Sequence, residues 1–221
     1  MAANVQRFTR YERVEENLEF ILRRTGVEVH ADLLAGLPGE DLQMFGEGFD
    51  RLLRIGPHEI QVGLLKRLRG APINRAPREW EMEFEVHPPY ALQRNRWLSE
   101  QDVQLLVHFG RLWDRMYNRR RLPRTMELFR RRSRRPFQDF AAFTHRVVAK
   151  FGRSHSIALD DLAWEAIGWL TETVGVSREE ARASVAADYA AGGRRVPRRL
   201  RTAAAGGSQI GFPLERGLAG G

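Results

Sequence analysis

Residues 30–41 read HADLLAGLPGED and residues 58–68 read HEIQVGLLKRL. In the first stretch and the residues before it, Val27, Val29, Ala31 and Leu33 alternate with Glu28, His30, Asp32 and Leu34. In the second, Ile60, Val62 and Leu64 alternate with Gln61, Gly63 and Leu65. Period-two alternation predicts strands, at about 27–35 and 58–66. Between them Leu42, Phe45, Phe49, Leu52 and Leu53 recur at helical spacing, and Gly56-Pro57 ends that helix. Residues 27–65 are therefore a strand–helix–strand unit, whose right-handed crossover predicts a parallel pair. Each strand has one apolar face. The opposite face carries His30 and Asp32, or Gln61 and Gly63. In a barrel those polar faces line the interior, with ligands at the carboxyl rim; in a flat two-layer sheet they meet solvent.

Working outward, Val14, Leu18, Ile21 and Leu22 form a helical stripe stopped by Thr25-Gly26. GLPG turns the chain, and Glu40-Asp41 suit the positive end of the next helix. Residues 67–98 hold Pro72, Pro77, Pro88 and Pro89 and read as a long loop, with WEMEF (80–84) as a short strand. From Ser99 the pattern is helical. Ser99 with Glu100 and Asp102 makes a first cap, and Leu105, Phe109, Leu112, Trp113 and Met116 make an apolar stripe. Helices follow near 124–132 and 137–151. Another carries Leu162, Ala166, Trp169 and Leu170 inward, and a last one has Ser177 and Glu180 in capping-box spacing before Gly192-Gly193. The fold class is α/β followed by all-α. A strand–helix–strand segment with an extended loop spans 1–93, a helical region 94–197, and a disordered tail 198–221.

The net charge is +8 and arginine carries nearly all the positive charge. Between 119 and 135 stand nine arginines, Arg119, Arg120, Arg121, Arg124, Arg130, Arg131, Arg132, Arg134 and Arg135, beside Phe129 and Phe137. Clustered arginine near aromatics can hold phosphates and stack on bases, which makes nucleic acid or another polyanion a partner class to weigh against a plain solvated surface. There is no cysteine, so disulfides and cysteine-held zinc or iron–sulfur sites are excluded. The six histidines form no HxxxH pair. No apolar run reaches membrane-span length and the start has no signal-peptide pattern, so the expected setting is a reducing cytoplasm. His30 with Asp32, and Lys66 after the second strand, read as surface or structural groups before catalytic or phosphate-binding ones.

Seven stretches occur in a recognisable order: NVQRFTRYERVEENL (4–18), HADLLAGLPGED, HEIQVGLLKRLRGAPI, HPPYALQ, WLSEQDV, MYNRRRL and DYAAGGRRVP (188–197). Together they resemble the C-terminal half of cobalamin-binding-domain radical S-adenosylmethionine enzymes. In that family a Rossmann-like cobalamin domain precedes a six-stranded partial (β/α) barrel. A CxxxCxxC loop there holds the iron–sulfur cluster, and a helical region of unknown function follows. The resemblance implies that the two strands here are the fifth and sixth of such a barrel, which makes 1–93 a partial (β/α) barrel segment. It places Asp32, Leu34 and Gly36 on the rim beside the adenine of S-adenosylmethionine, with Gln61, Gly63 and Leu65 joining from the sixth strand. Ala91, Ala71, Arg119 and Leu122 stand where the family usually has Glu, Thr, Ser and Phe. Without cysteines the chain alone is expected to hold no cofactor and to be catalytically incomplete. Its implied partner is a separate N-terminal radical S-adenosylmethionine half, and an isolated two-strand fragment is expected to self-associate through its open edge. The alternative is a non-enzymatic basic helical protein that binds nucleic acid or another polyanion through the arginine run.

Overall fold

The structure, a computed structural model, describes residues 11–76 and 78–200. Helix α1 (Tyr11–Arg24), strand β1 (His30–Ala35), helix α2 (Leu42–Ile55) and strand β2 (Glu59–Leu64) follow in the expected order. Local chemistry sets the bounds of α2. Asp41 accepts a hydrogen bond from the Met44 amide at 2.8 Å, and Gly56 closes the helix at φ 81°, donating its amide to Leu52 O. The strands pair in parallel, with His30 opposite Glu59 and Ala35 opposite Leu64. On one face Ala35 and Ile60 are fully buried and Ala31, Leu33, Val62 and Leu64 half-buried, while His30, Asp32, Gln61 and Gly63 on the other face are exposed. The sheet has two strands, and no barrel closes among the described residues.

The 67–98 region is more structured than its prolines suggest. Pro72–Arg75 and Arg78–Trp80 are 3₁₀ turns, and β3 (Glu83–Phe84) pairs antiparallel with β4 (Leu92–Arg94). The strand expected over WEMEF is shorter because Glu81 sits in the left-handed region at φ 47°, where an extended ladder cannot run.

Five helices follow: α3 (Glu100–Trp113), α4 (Pro123–Arg132), α5 (Pro136–Phe151), α6 (Leu159–Glu172) and α7 (Arg178–Ala191). Ser99 and Asp102 form a reciprocal capping box on α3, and Ser177 accepts from the Glu180 amide on α7, as their spacing predicts. Helix α3 runs into a single π turn, Asp114–Asn118. Helices α4 and α5 start on proline and have no cap of their own. Their free amides are satisfied from elsewhere in the chain. Buried Asp188 of α7 accepts from the Arg124 amide (2.8 Å) and from the Thr125 amide and hydroxyl (3.0 and 2.7 Å). Asp50 of α2 accepts from the Phe137 amide at 2.6 Å. Order continues past residue 197: Arg198–Leu200 is a 3₁₀ turn, Leu200 is buried, and Arg199 pairs with Asp161. The rest of the expected tail, 201–221, lies outside the described residues.

The core is continuous across the 93/94 boundary drawn from sequence. Phe49 of α2 meets Phe109 and Trp113 of α3 edge-on, at centroid distances of 5.1 and 4.8 Å. Phe137 of α5 packs on Phe45 and Phe109. Close approach of α2 and α5 requires Gly46: a Cβ there would lie 2.4 Å from Phe137 Cδ1. Gly46→Ala is therefore expected to destabilise the protein by about 2–3 kcal/mol through overpacking, read as a lower urea midpoint at unchanged slope.

Candidate functional site

The six residues assigned to a cofactor rim divide into two groups. Register places Asp32 beside Gln61 and Leu34 beside Gly63 on the open face. Leu34 Cδ1 comes within 3.9 Å of where a Gly63 Cβ would stand, so the missing side chain leaves room for that leucine. His30 Nδ1 lies 3.1 Å from Glu59 Oε2 at the lower end of the same face. Gly36 and Leu65 are elsewhere. Both are buried beneath Leu92 of β4, which crosses the carboxyl ends of the strands. At Gly36 (φ 95°) a Cβ would meet Leu92 Cδ2 at 2.4 Å, and the Gly36 carbonyl accepts from Asn95 Nδ2 at 3.2 Å. The Leu65 amide donates to Ala35 O and its carbonyl accepts from the Leu92 amide. Glycine at 36 thus serves a turn and a close protein contact, while Asp32, Leu34, Gln61 and Gly63 form an accessible patch.

The two edges of this sheet differ. Asn118, delivered by the π turn after α3, donates to Ile60 O and accepts from the Ile60 amide, both at 3.1 Å. Its buried carboxamide takes the place of one residue of a neighbouring strand. Helix α3 closes in beside it, because Gly110 leaves only 3.0 Å between its notional Cβ and Val62 O. The outer edge of β2 is sealed at these points. On β1, the Val29 and Ala35 carbonyls accept from Glu59 and Leu65, so this parity faces β2. The alternate residues His30, Asp32 and Leu34 point their amides and carbonyls outward, where β1 has no neighbouring strand among the described residues. Asn118 has no local sequence signal, since its partner lies 58 residues away.

Glu40, read from sequence only as a helix-start acid, is partly buried, and its Oε2 is enclosed without a hydrogen-bond partner. Desolvation, aided by the neighbouring Asp41 charge, pushes its carboxyl up to about 7.

Four of the nine arginines of the run are held in ion pairs. Arg119 pairs with Asp114, Arg130 and Arg131 with Glu127, and Arg132 with Glu180. Arg120, Arg121, Arg124, Arg134 and Arg135 are exposed and form no ion pair within the described residues. Phe129 and Phe137, the aromatics beside the run, are core residues and offer no ring to a base. Lys66 is exposed, its backbone bridged to Ala91.

The donor set does not fit an iron–sulfur cluster, because the chain has no thiolate. Among the described residues no group of three His, Asp or Glu side chains could hold a metal ion, and no helix is long and apolar enough to cross a membrane.

The raised Glu40 has a pH signature. The folded state keeps the proton that the unfolded state releases from about pH 4.5, so stability falls as pH rises from there to about 7 and is flat above. Glu40→Gln is expected to remove that slope. The variant should be more stable by about 1–2 kcal/mol at pH 8, a figure reduced for partial solvent exposure, and equal to the parent at pH 4 in urea melts.

No curated protein and no solved structure matches the chain. Residues 78–191, from the second 3₁₀ turn through the end of α7, match the family described as Protein of unknown function (DUF4080). That match covers just over half of the sequence, and the chain belongs to this family.

Proposed function

We propose that the chain is the closing end of a cobalamin-binding radical S-adenosylmethionine-type barrel, and that β1 receives the preceding strand from the cluster-bearing half. The observation that carries this is the asymmetry of the sheet: β2 is sealed by Asn118, while β1 presents three outward backbone pairs. A two-stranded parallel sheet is rarely stable by itself, and parallel strands are normally covered on both faces. The apolar residues before β1 support the same side, since Val14, Phe20 and Val27 are exposed. In this arrangement Asp32, Leu34, Gln61 and Gly63 turn into the barrel and face S-adenosylmethionine. The cluster belongs to the other half.

Co-expression with a cobalamin-domain and CxxxCxxC-bearing half tests the reading. The two are expected to co-purify. Asp32→Pro removes one outward amide without touching the β1–β2 ladder, so it should abolish the complex while shifting the melting temperature of this chain by only a few degrees. Leu33→Pro, one residue away, should unfold the sheet. Failure to associate, or a complex unaffected by Asp32→Pro, overturns the assignment.

A polyanion-binding function rests on Arg120, Arg121, Arg124, Arg134 and Arg135, the exposed arginines of the run with no ion pair among the described residues. If it operates, duplex or single-stranded nucleic acid binds this chain at low salt and affinity falls steeply with added salt. Arg134→Gln/Arg135→Gln should then reduce the salt slope by roughly 1–2 units. Absence of binding at low salt removes this function.

A further inference from the structure

We propose that the groove between the 67–76 segment and the β3–β4 hairpin binds a small organic anion, a phosphate or carboxylate group carried on an apolar or aromatic body. The inference does not depend on completion of a barrel. The groove has a volume of about 960 Å³, large enough for such a ligand. Chain leaving the carboxyl end of β2 forms one wall, pinned by the Arg67 amide to Tyr90 O (2.9 Å) and by Asn74 Nδ2 to Leu68 O (2.8 Å). The hairpin forms the other, held by its ladder and by the Arg96 amide to Trp80 O (3.0 Å).

Its chemistry is two-sided. Ile73, Met82 and Phe84 give an apolar lining. Around them stand Arg67, Arg69, Arg78 and Arg94. Arg94 is neutralised by Glu83 (3.0 Å) and Glu81 (3.6 Å). Arg67, Arg69 and Arg78 have no ion-pair partner among the described residues. Four arginines against the two acids Glu81 and Glu83 leave the groove lining with an excess of positive charge, which an anion would neutralise with charge-assisted hydrogen bonds. The arginine run differs, because its aromatics Phe129 and Phe137 are buried and it offers no apolar lining beside its charge. Glu81 (φ 47°) and Tyr90 (φ 57°), two non-glycine residues in the left-handed region, both line this groove. Strained backbone of this kind concentrates at ligand sites.

Calorimetric titration of the full chain with phenyl phosphate, benzoate, inorganic phosphate and phenol tests the proposal. Phenyl phosphate or benzoate is expected to bind at least tenfold more tightly than inorganic phosphate, with phenol silent. Arg67→Gln/Arg78→Gln should weaken the organic anion at least tenfold. Met82→Ala should weaken it without affecting inorganic phosphate, and Arg134→Gln/Arg135→Gln should change nothing. If the double variant unfolds by circular dichroism, Arg69→Gln alone provides the same readout. No binding of either organic anion, equal binding of phosphate, or equal loss in the Arg134/Arg135 variant overturns the site.

Discussion

One residue couples the two halves of this protein. Phe137 donates its amide to Asp50 and sets its ring into the notch left by Gly46, so it meets α2 through both backbone and side chain. The sheet rests on that junction. β1 and β2 turn one face to helices, and α2 is held in place beside them by α5 through Phe137 and by α3 through Phe49. The same device recurs at α4, where Asp188 of α7 supplies the missing cap. A carboxylate that satisfies the first turn of a distant helix does more than an ordinary cap, because it fixes the position of one helix relative to another.

What could be read from the sequence was what is local. Alternation gave β1 and β2, and helical spacing gave α2 through α7. Ser99, Asp41 and Ser177 sit next to the amides they satisfy, and each is visible as a short pattern. Asp50, Asp188 and Asn118 are not, because each acts on a partner more than fifty residues away. Glu81 broke the expected WEMEF strand through its backbone conformation, which no apolar pattern encodes. The surroundings of the six strand residues were half legible. Parity placed Asp32, Leu34, Gln61 and Gly63 on one face, but alternation alone could not show that Leu92 would close over Gly36 and Leu65.

The family match covers the hairpin and helices α3 to α7, while α1, α2 and the parallel strands lie outside the matched segment. The two regions nonetheless share one core and one groove wall. Function is thus proposed for a composite surface: a sheet face that awaits neighbours, beside a basic groove built at the carboxyl end of β2. Neither depends on the arginine run, whose aromatic companions are buried in packing.

The Asn118 carboxamide has a further meaning for assembly. By occupying the hydrogen-bonding positions of Ile60, it removes one of the two edges through which a sheet can grow. Among the described residues the β1–β2 sheet is left with one live edge, which can be terminated by a partner or can pair once with a copy of itself but cannot propagate. Edge-to-edge polymers need two such faces per subunit. One side chain therefore sets an upper bound on stoichiometry along the sheet.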